Sequence, residues 1–218
     1  MPPVEAFLRR YARRQARDVA PWIVGRAKEH PAFGVEVLDL RDWPLPLFSE
    51  TFQTVGDPRN PSYSDPIVKR WNQCIAEGDA YLFITPEYNH SVPAVLKNAI
   101  DSVFASFAFR NKAAAFVGYS GGIAAGVRAI EHLAHIAIEA EMVPLRSTVL
   151  IPMVGGAFDE NGVPKNPAAA TAAGIMLDDL AWWASALQRA RQDNMLPPAA
   201  MRTMAAAGHS HPAGRGDH

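Results

Sequence analysis

The stretch that most constrains this chain is residues 80–103, AYLFITPEYNHSVPAVLKNAIDSV. An apolar run over 80–85 stops at Pro86, and polar and aromatic chain fills the interval to Pro93. Apolar residues then recur at Val95, Leu96, Ala99, Ile100 and Val103 with helical spacing. The pattern predicts a buried strand, a loop at its carboxyl end and a helix. Open α/β sheets bind their ligands at that end of the strands. Pro86 and Pro93 bracket the loop and limit its freedom in the unfolded chain. Between them lie an aromatic ring, an amide, a hydroxyl and several backbone N–H groups, which suit a flat heteroaromatic ring with polar edges. On composition alone, an ordinary strand-to-helix connection is the favoured reading of the loop.

Similar units recur on both sides. Residues 33–40, FGVEVLDL, read as a strand, and Val19, Trp22, Ile23 and Ala27 share a helical face before it. Residues 44–65 hold many Pro, Ser, Asn and Asp and read as a long loop, either bordering a site or crossing the surface. Asp65-Pro66 is an N-cap followed by a first-turn proline, and Ile67, Val68, Trp71 and Ile75 form the stripe of the helix it starts. Residues 113–119, AAAFVGY, form a buried strand ending at Ser120-Gly121-Gly122, with a helix expected over about 124–140. The glycines let a backbone approach a flat ligand closely, and Ser120 adds a donor or acceptor. Such turns are common between strand and helix. This one is singled out because it lies on the same sheet edge, one strand from the loop at 86–93. A fifth strand is expected over 143–153 and a last helix over about 167–190, with Met176, Leu177, Leu180, Trp183 and Leu187 on one face.

The alternation of strands and helices implies a parallel five-stranded sheet with helices on both faces, a three-layer α/β/α sandwich. Residues 1–191 make one domain, and 192–218, rich in Ala, Pro, Gly and His without periodicity, are expected to be a disordered tail. The tail histidines lack the support a metal site needs, and no metal is expected.

With 218 residues, nearly half hydrophobic, the chain can bury one sizeable core. A formal net charge of −1 gives no electrostatic case for nucleic acid or membrane binding. No apolar run approaches the ~20 residues that span a bilayer. Arg9, Arg10, Arg13, Arg14 and Arg17 are not followed by an uninterrupted apolar segment, so a signal peptide is not expected. The single Cys74 excludes an intramolecular disulfide and fits a reducing, cytoplasmic setting, as an inert helical thiol.

Residue order is more specific than composition. Thr-Pro-Glu-Tyr-Asn-His-Ser-Val-Pro at 85–93 and Leu-Lys-Asn-Ala-Ile-Asp at 96–101 resemble the signature of the NADPH-dependent FMN reductase family over fifteen ordered positions. That family is flavodoxin-like and includes quinone, azo-dye and chromate reductases. The resemblance implies sheet order 2-1-3-4-5 and FMN beside the first strand. It implies a loop lying along the isoalloxazine ring, with Pro86, Glu87, Tyr88, Asn89 and Ser91 as ring contacts and the Glu87 N–H as a useful donor. Ser120, Gly121 and Gly122 match a Gly-rich turn of the family. Arg128-Ala129 match the residues after it, with Arg128 on the helix rather than at the ring. The helix at 93–106 packs in relatives against its copy, implying a homodimer or homotetramer. Lys97 and Asp101 are spaced to pair within it.

Residues 1–17 depart from the pattern. A flavodoxin-like fold needs a phosphate loop rich in Gly, Ser and Thr after its first strand, and the family's Gly-Ser pair falls on Leu8-Arg9. Of this segment Arg14, with its neighbour Gln15, is the remaining cofactor-binding candidate. Three readings compete: arginines replace amides on the phosphate, the segment is a surface helix with FMN binding weakened or lost, or the start is mis-assigned upstream of about Arg14. The last reading is preferred.

The implied activity is hydride transfer from NAD(P)H through FMN to a quinone, flavin or similar small-molecule acceptor, with no catalytic acid or base assigned. A flavodoxin-like binding module without flavin is the alternative. An electron carrier is disfavoured by the near-neutral charge.

Overall fold

A computed structural model describes the backbone of residues 4–10 and the chain over 18–209. Its strands are β1 (Val4–Arg10), β2 (Phe33–Asp39), β3 (Ala80–Pro86), β4 (Ala113–Tyr119) and β5 (Val143–Ile151). All pair in parallel, in the order β2-β1-β3-β4-β5. The helices are α1 (Val19–Glu29), the single turn α2 (Phe52–Val55), α3 (Pro66–Glu77), α4 (Ala94–Asp101), α5 (Val127–Glu139), α6 (Pro167–Asp193) and α7 (Ala199–His209).

Both faces of the central strands are covered, so every residue of β3 and β4 is buried. Strand alternation divides them between two cores. Leu82, Ile84, Ala115 and Val117 pack with α1 and α6, including Ile23, Met176 and Leu180. Tyr81, Phe83 and Phe116 pack with α3, α4 and α5, including Trp71, Ile100 and Leu133. The runs are continuously apolar because neither face meets water.

Local signals set several boundaries. Asp65 Oδ1 accepts from the Ile67 N–H at 2.8 Å, capping α3 as its sequence predicts. The Trp71 indole donates to the Ala99 carbonyl at 2.9 Å, joining α3 to α4. The long connection after β2 is pinned by Asn98, whose amide nitrogen donates to the Pro46 carbonyl and whose oxygen accepts from the Phe48 N–H, both at 2.9 Å.

Two expected elements differ. The helix expected over 93–106 ends at Asp101, and Phe104–Ser106 is a separate 3₁₀ turn. The Ser102 hydroxyl donates back to the Asn98 carbonyl at 2.7 Å, and Phe107 is left-handed at φ 55°. Together these end the helix. The tail expected from 192 onward is ordered as far as 209. α6 runs on to Asp193, and α7 is built on Ala and Met, strong helix formers. Arg110 donates to the Pro197 carbonyl at 3.0 Å, and Glu141 accepts from the Ala199 N–H at 3.1 Å, so the segment is tied to the domain. The backbone of 8–10 lies in β1, which removes the surface-helix reading there. The start of the phosphate loop, Arg14 and Gln15 among it, and the histidines after 209 lie outside the described residues.

The amino-terminal edge of the sheet holds an unusual buried charge. Lys112 is 6% exposed, and its Nζ donates to Ile75 O at 3.0 Å, Ala76 O at 2.8 Å and Tyr81 Oη at 3.1 Å. It thereby satisfies carbonyls in the last turn of α3. Beside it Arg191 bridges Asp79 and the Asn111 carbonyl, at 2.5 Å and 2.8 Å. Burial, reinforced by Arg191 and opposed by Asp79, lowers the Lys112 pKa to about 7. The cost of burying its charge is therefore fully present below about pH 7 and disappears as pH rises from there toward the unfolded value of 10.5. We expect wild-type unfolding free energy, measured in urea, to rise from pH 7 to pH 9 relative to Lys112→Met. Parallel pH profiles for the two proteins contradict this.

Candidate functional site

At the carboxyl edge of β3 and β4 two loops lie side by side. Pro86 is in register with Tyr119, and the Glu87 N–H donates to the Tyr119 carbonyl at 3.0 Å. That bond extends the strand pairing one residue into both loops. It also engages the Glu87 N–H, so that group is not the free donor to ligand that the resemblance implies.

The first loop closes on itself. Tyr88 and Ser91 exchange N–H···O bonds of 2.9 and 3.0 Å, forming an isolated antiparallel bridge. The residues between, Asn89 and His90, are left-handed at φ 46° and 70°. This is the two-residue turn that needs positive φ at both central positions, and Asn and His tolerate it better than most residues. Tyr88, Asn89 and His90 are exposed at its tip.

α5 grips this turn from below. The Glu87 carboxylate, only 4% exposed, forms an ion pair with Arg128. Arg128 Nη1 lies 3.2 Å from His90 Nδ1, and His132 Nδ1 lies 2.8 Å from Ser91 Oγ. A guanidinium only donates, so His90 Nδ1 accepts and a neutral His90 ring carries its proton on Nε2. Glu87 Oε2 and Arg128 Nε are buried without a hydrogen-bond partner. Arg128 is on the helix, as predicted, yet it holds the loop. His132 was not singled out by sequence; its signal was the i, i+4 spacing from Arg128.

The second loop is fastened to the end of β5. The Ser120 N–H donates to Ile151 O at 3.2 Å, and the Ser120 carbonyl accepts from the Val154 N–H at 3.0 Å. The Ser120 hydroxyl donates to Gly122 O at 3.0 Å. Gly121 and Gly122 are exposed, and a Cβ on Gly122 would meet nothing within 4 Å. Packing does not require glycine there. It does at two positions missed in the sequence. A Cβ on Gly126, at φ +87°, would lie 2.5 Å from the Tyr119 nitrogen, and one on Gly118 would lie 2.8 Å from Ile130 Cγ1. Gly118 and Gly126 let the start of α5 lie directly on β4.

The structure thus brings Pro86, Glu87, Tyr88, Asn89 and Ser91 into one loop beside Ser120, Gly121 and Gly122. Glu87 and Ser91 face inward through their partners; Tyr88, Asn89, Gly121 and Gly122 are the outward members. An exposed ring, an amide and open glycine backbone fit one edge of a planar polar cofactor such as FMN. Elsewhere, Cys74 is half-buried, and burial with Glu36 and Glu77 nearby raises its thiol pKa, which disfavours a nucleophilic thiolate. Among the described residues no group of three or more His, Cys, Asp or Glu is placed to hold a metal, and no helix is long and apolar enough to cross a membrane. A cavity of about 670 Å³ lies at the opposite sheet edge, beside Lys112 and Arg191 and under residues 195–201. Lys112 is engaged by carbonyls and the Tyr81 hydroxyl, and Arg191 by Asp79 and the Asn111 carbonyl, which makes the cavity a structural feature.

The fold is an α/β flavodoxin-like sandwich. The family model for NADPH-dependent FMN reductase matches residues 10–156, and the chain belongs to that family, whose members are oxidoreductases that use FMN and NAD(P)H. It is 36% identical over 135 residues to an NAD(P)H-dependent FMN reductase of Pseudomonas aeruginosa, covering 61% of this chain and 68% of that one. It is 37% identical over 111 residues to an NADPH:quinone oxidoreductase of Arabidopsis thaliana, covering 50% of this chain and about half, 51%, of the relative. Among solved structures it resembles FerB, a flavoenzyme NAD(P)H:(acceptor) oxidoreductase from Paracoccus denitrificans, with a TM-score of 0.64 and 21% identity over 84% of this chain and 97% of that one.

The two glycine classes are separable. Gly126→Ala is expected to destabilise the protein by about 2 kcal/mol or more, from positive φ and backbone overlap. Gly122→Ala should leave the urea midpoint unchanged. Equal midpoints for both variants contradict the close approach of α5 to β4.

Proposed function

We propose that this protein is an FMN-dependent NAD(P)H oxidoreductase that delivers electrons to a quinone, a flavin or a similar small acceptor. The observation that carries the reading is the joined carboxyl edge, where exposed Tyr88 and Asn89 stand beside the open Ser120-Gly121-Gly122 backbone. Bound FMN would supply the redox chemistry, relaying the electrons of NAD(P)H to the acceptor. The chain's part is positioning. Tyr88 covers or stacks on the ring, and the Asn89 amide meets its polar edge. The Gly121-Gly122 backbone admits the ring at close range. Pro86 ends β3 and fixes where the loop departs. Arg14 and Gln15 remain cofactor-binding candidates from the sequence.

In the flavodoxin-like order 2-1-3-4-5 this edge adjoins the topological switch point beside β1, where such sheets bind mononucleotides. Glu87 and His90 both engage Arg128, so neither is assigned as a proton donor. We further propose a homodimer or homotetramer through residues 93–106, with α4 at its centre. Leu47, 84% exposed, and Val95, 44% exposed, flank one groove there. Lys97 Nζ lies 2.7 Å from both Asp101 carboxylate oxygens, which directs that pair within the helix. A lone half-buried thiol suits a reducing compartment, and we place the protein in the cytoplasm.

Titration of purified protein into FMN should quench the flavin fluorescence to saturation, and NAD(P)H oxidation should then depend on added quinone. Tyr88→Ala should raise the FMN Kd about tenfold in a protein that still unfolds cooperatively in urea, since Tyr88 lies outside both cores. FMN that stays fluorescent with micromolar excess of folded protein overturns the proposal.

A further inference from the structure

The turn at 88–91 is held by residues that the proposed FMN contacts do not include. Asn89 and His90 are non-glycine residues at φ 46° and 70°, a conformation that is disfavoured for L side chains unless the surroundings impose it. The surroundings here are one face of α5. Arg128 and His132 stand four residues apart and reach Glu87, His90 and Ser91. Arg128 occupies the first turn of α5, where the helix dipole disfavours a cation. The ion pair with buried Glu87 offsets that cost, so the arginine's place is explained by the loop and not by the helix. Glu87 and Ser91 are drawn toward α5, and Tyr88 and Asn89 are left to project.

We propose that Arg128 and His132 are positioning residues that preset the turn, fixing Tyr88 and Asn89 in the conformation that receives the flavin. This rests on the FMN reading above. The ordering cost of the loop is met on folding rather than on binding, so loss of either contact weakens flavin binding without touching the flavin.

The test measures FMN affinity by fluorescence quenching, together with the visible circular dichroism of the saturated protein and the apo-protein melting temperature. His132 is exposed, so His132→Leu should fold normally and raise the FMN Kd about fivefold, the loss of one hydrogen bond. His132→Asn, whose amide can replace Nδ1 in either hydrogen-bond role, should return the Kd to within about twofold of wild type. Arg128→Gln removes two contacts and should raise the Kd by about tenfold or more and alter the dichroism of bound flavin. A purely structural role would lower the melting temperature and leave the Kd and dichroism of folded variants unchanged. If Arg128→Gln does not fold, the His132 pair decides. A Kd for His132→Leu within about twofold of wild type, or no rescue by Asn, overturns the proposal. Absence of FMN binding by wild type overturns the underlying reading instead.

Discussion

The site depends on one backbone hydrogen bond, from the Glu87 N–H to the Tyr119 carbonyl. Parallel strands end at the mercy of their loops, because the first residue beyond the ladder has no assigned partner. Here the ladder continues one step past Pro86 and Tyr119. The two loops therefore leave the sheet from a common point. β3 and β4 are buried on both faces, so a one-residue slip would drive the rings of Tyr81, Phe83 and Phe116 into the core built for Leu82, Ile84 and Val117. Rigidity in the core is passed to the edge through that bond.

The second determinant is how closely α5 lies on β4. With no Cβ at Gly118 or Gly126, the helix starts in contact with strand backbone. That closeness brings Arg128 and His132 within hydrogen-bond reach of the neighbouring loop. A bulkier residue at either glycine would lift the first turn of α5 away from the loop as well as from the strand.

What the sequence made legible follows from the range of each interaction. The strand-loop-helix unit at 80–103, the Asp65 cap and the apolar stripe of α3 are local patterns, and the structure carries them. The grip on the loop is not local. Arg128 and His90 are 38 residues apart, and His132 and Ser91 are 41 apart. Nothing in either segment names the other. The same applies to Glu87, whose N–H looked available in sequence because its acceptor lies on another strand. The early end of α4 was hidden for a different reason. Apolar spacing continues past Asp101, while a serine hydroxyl and a left-handed phenylalanine stop the helix. α7 lacked periodicity because its Ala-rich sequence carries helix propensity without a clear apolar stripe.

The two edges of the sheet use charge differently. At the amino-terminal edge Lys112 and Arg191 are nearly enclosed, and they donate to carbonyls, a tyrosine hydroxyl and a carboxylate of the chain itself. That arrangement locks strand starts to the end of α3. At the carboxyl edge the Glu87–Arg128 pair is incompletely matched, with one carboxylate oxygen and one guanidinium nitrogen buried and unpartnered. Arginine and carboxylate usually meet through two parallel bonds. Here the guanidinium is shared between the Glu87 carboxylate and the His90 ring, so one cation ties two residues of the turn in place. The amino-terminal edge is locked by cations that reach carbonyls and a carboxylate, and the site edge is preset by a cation that spans its turn.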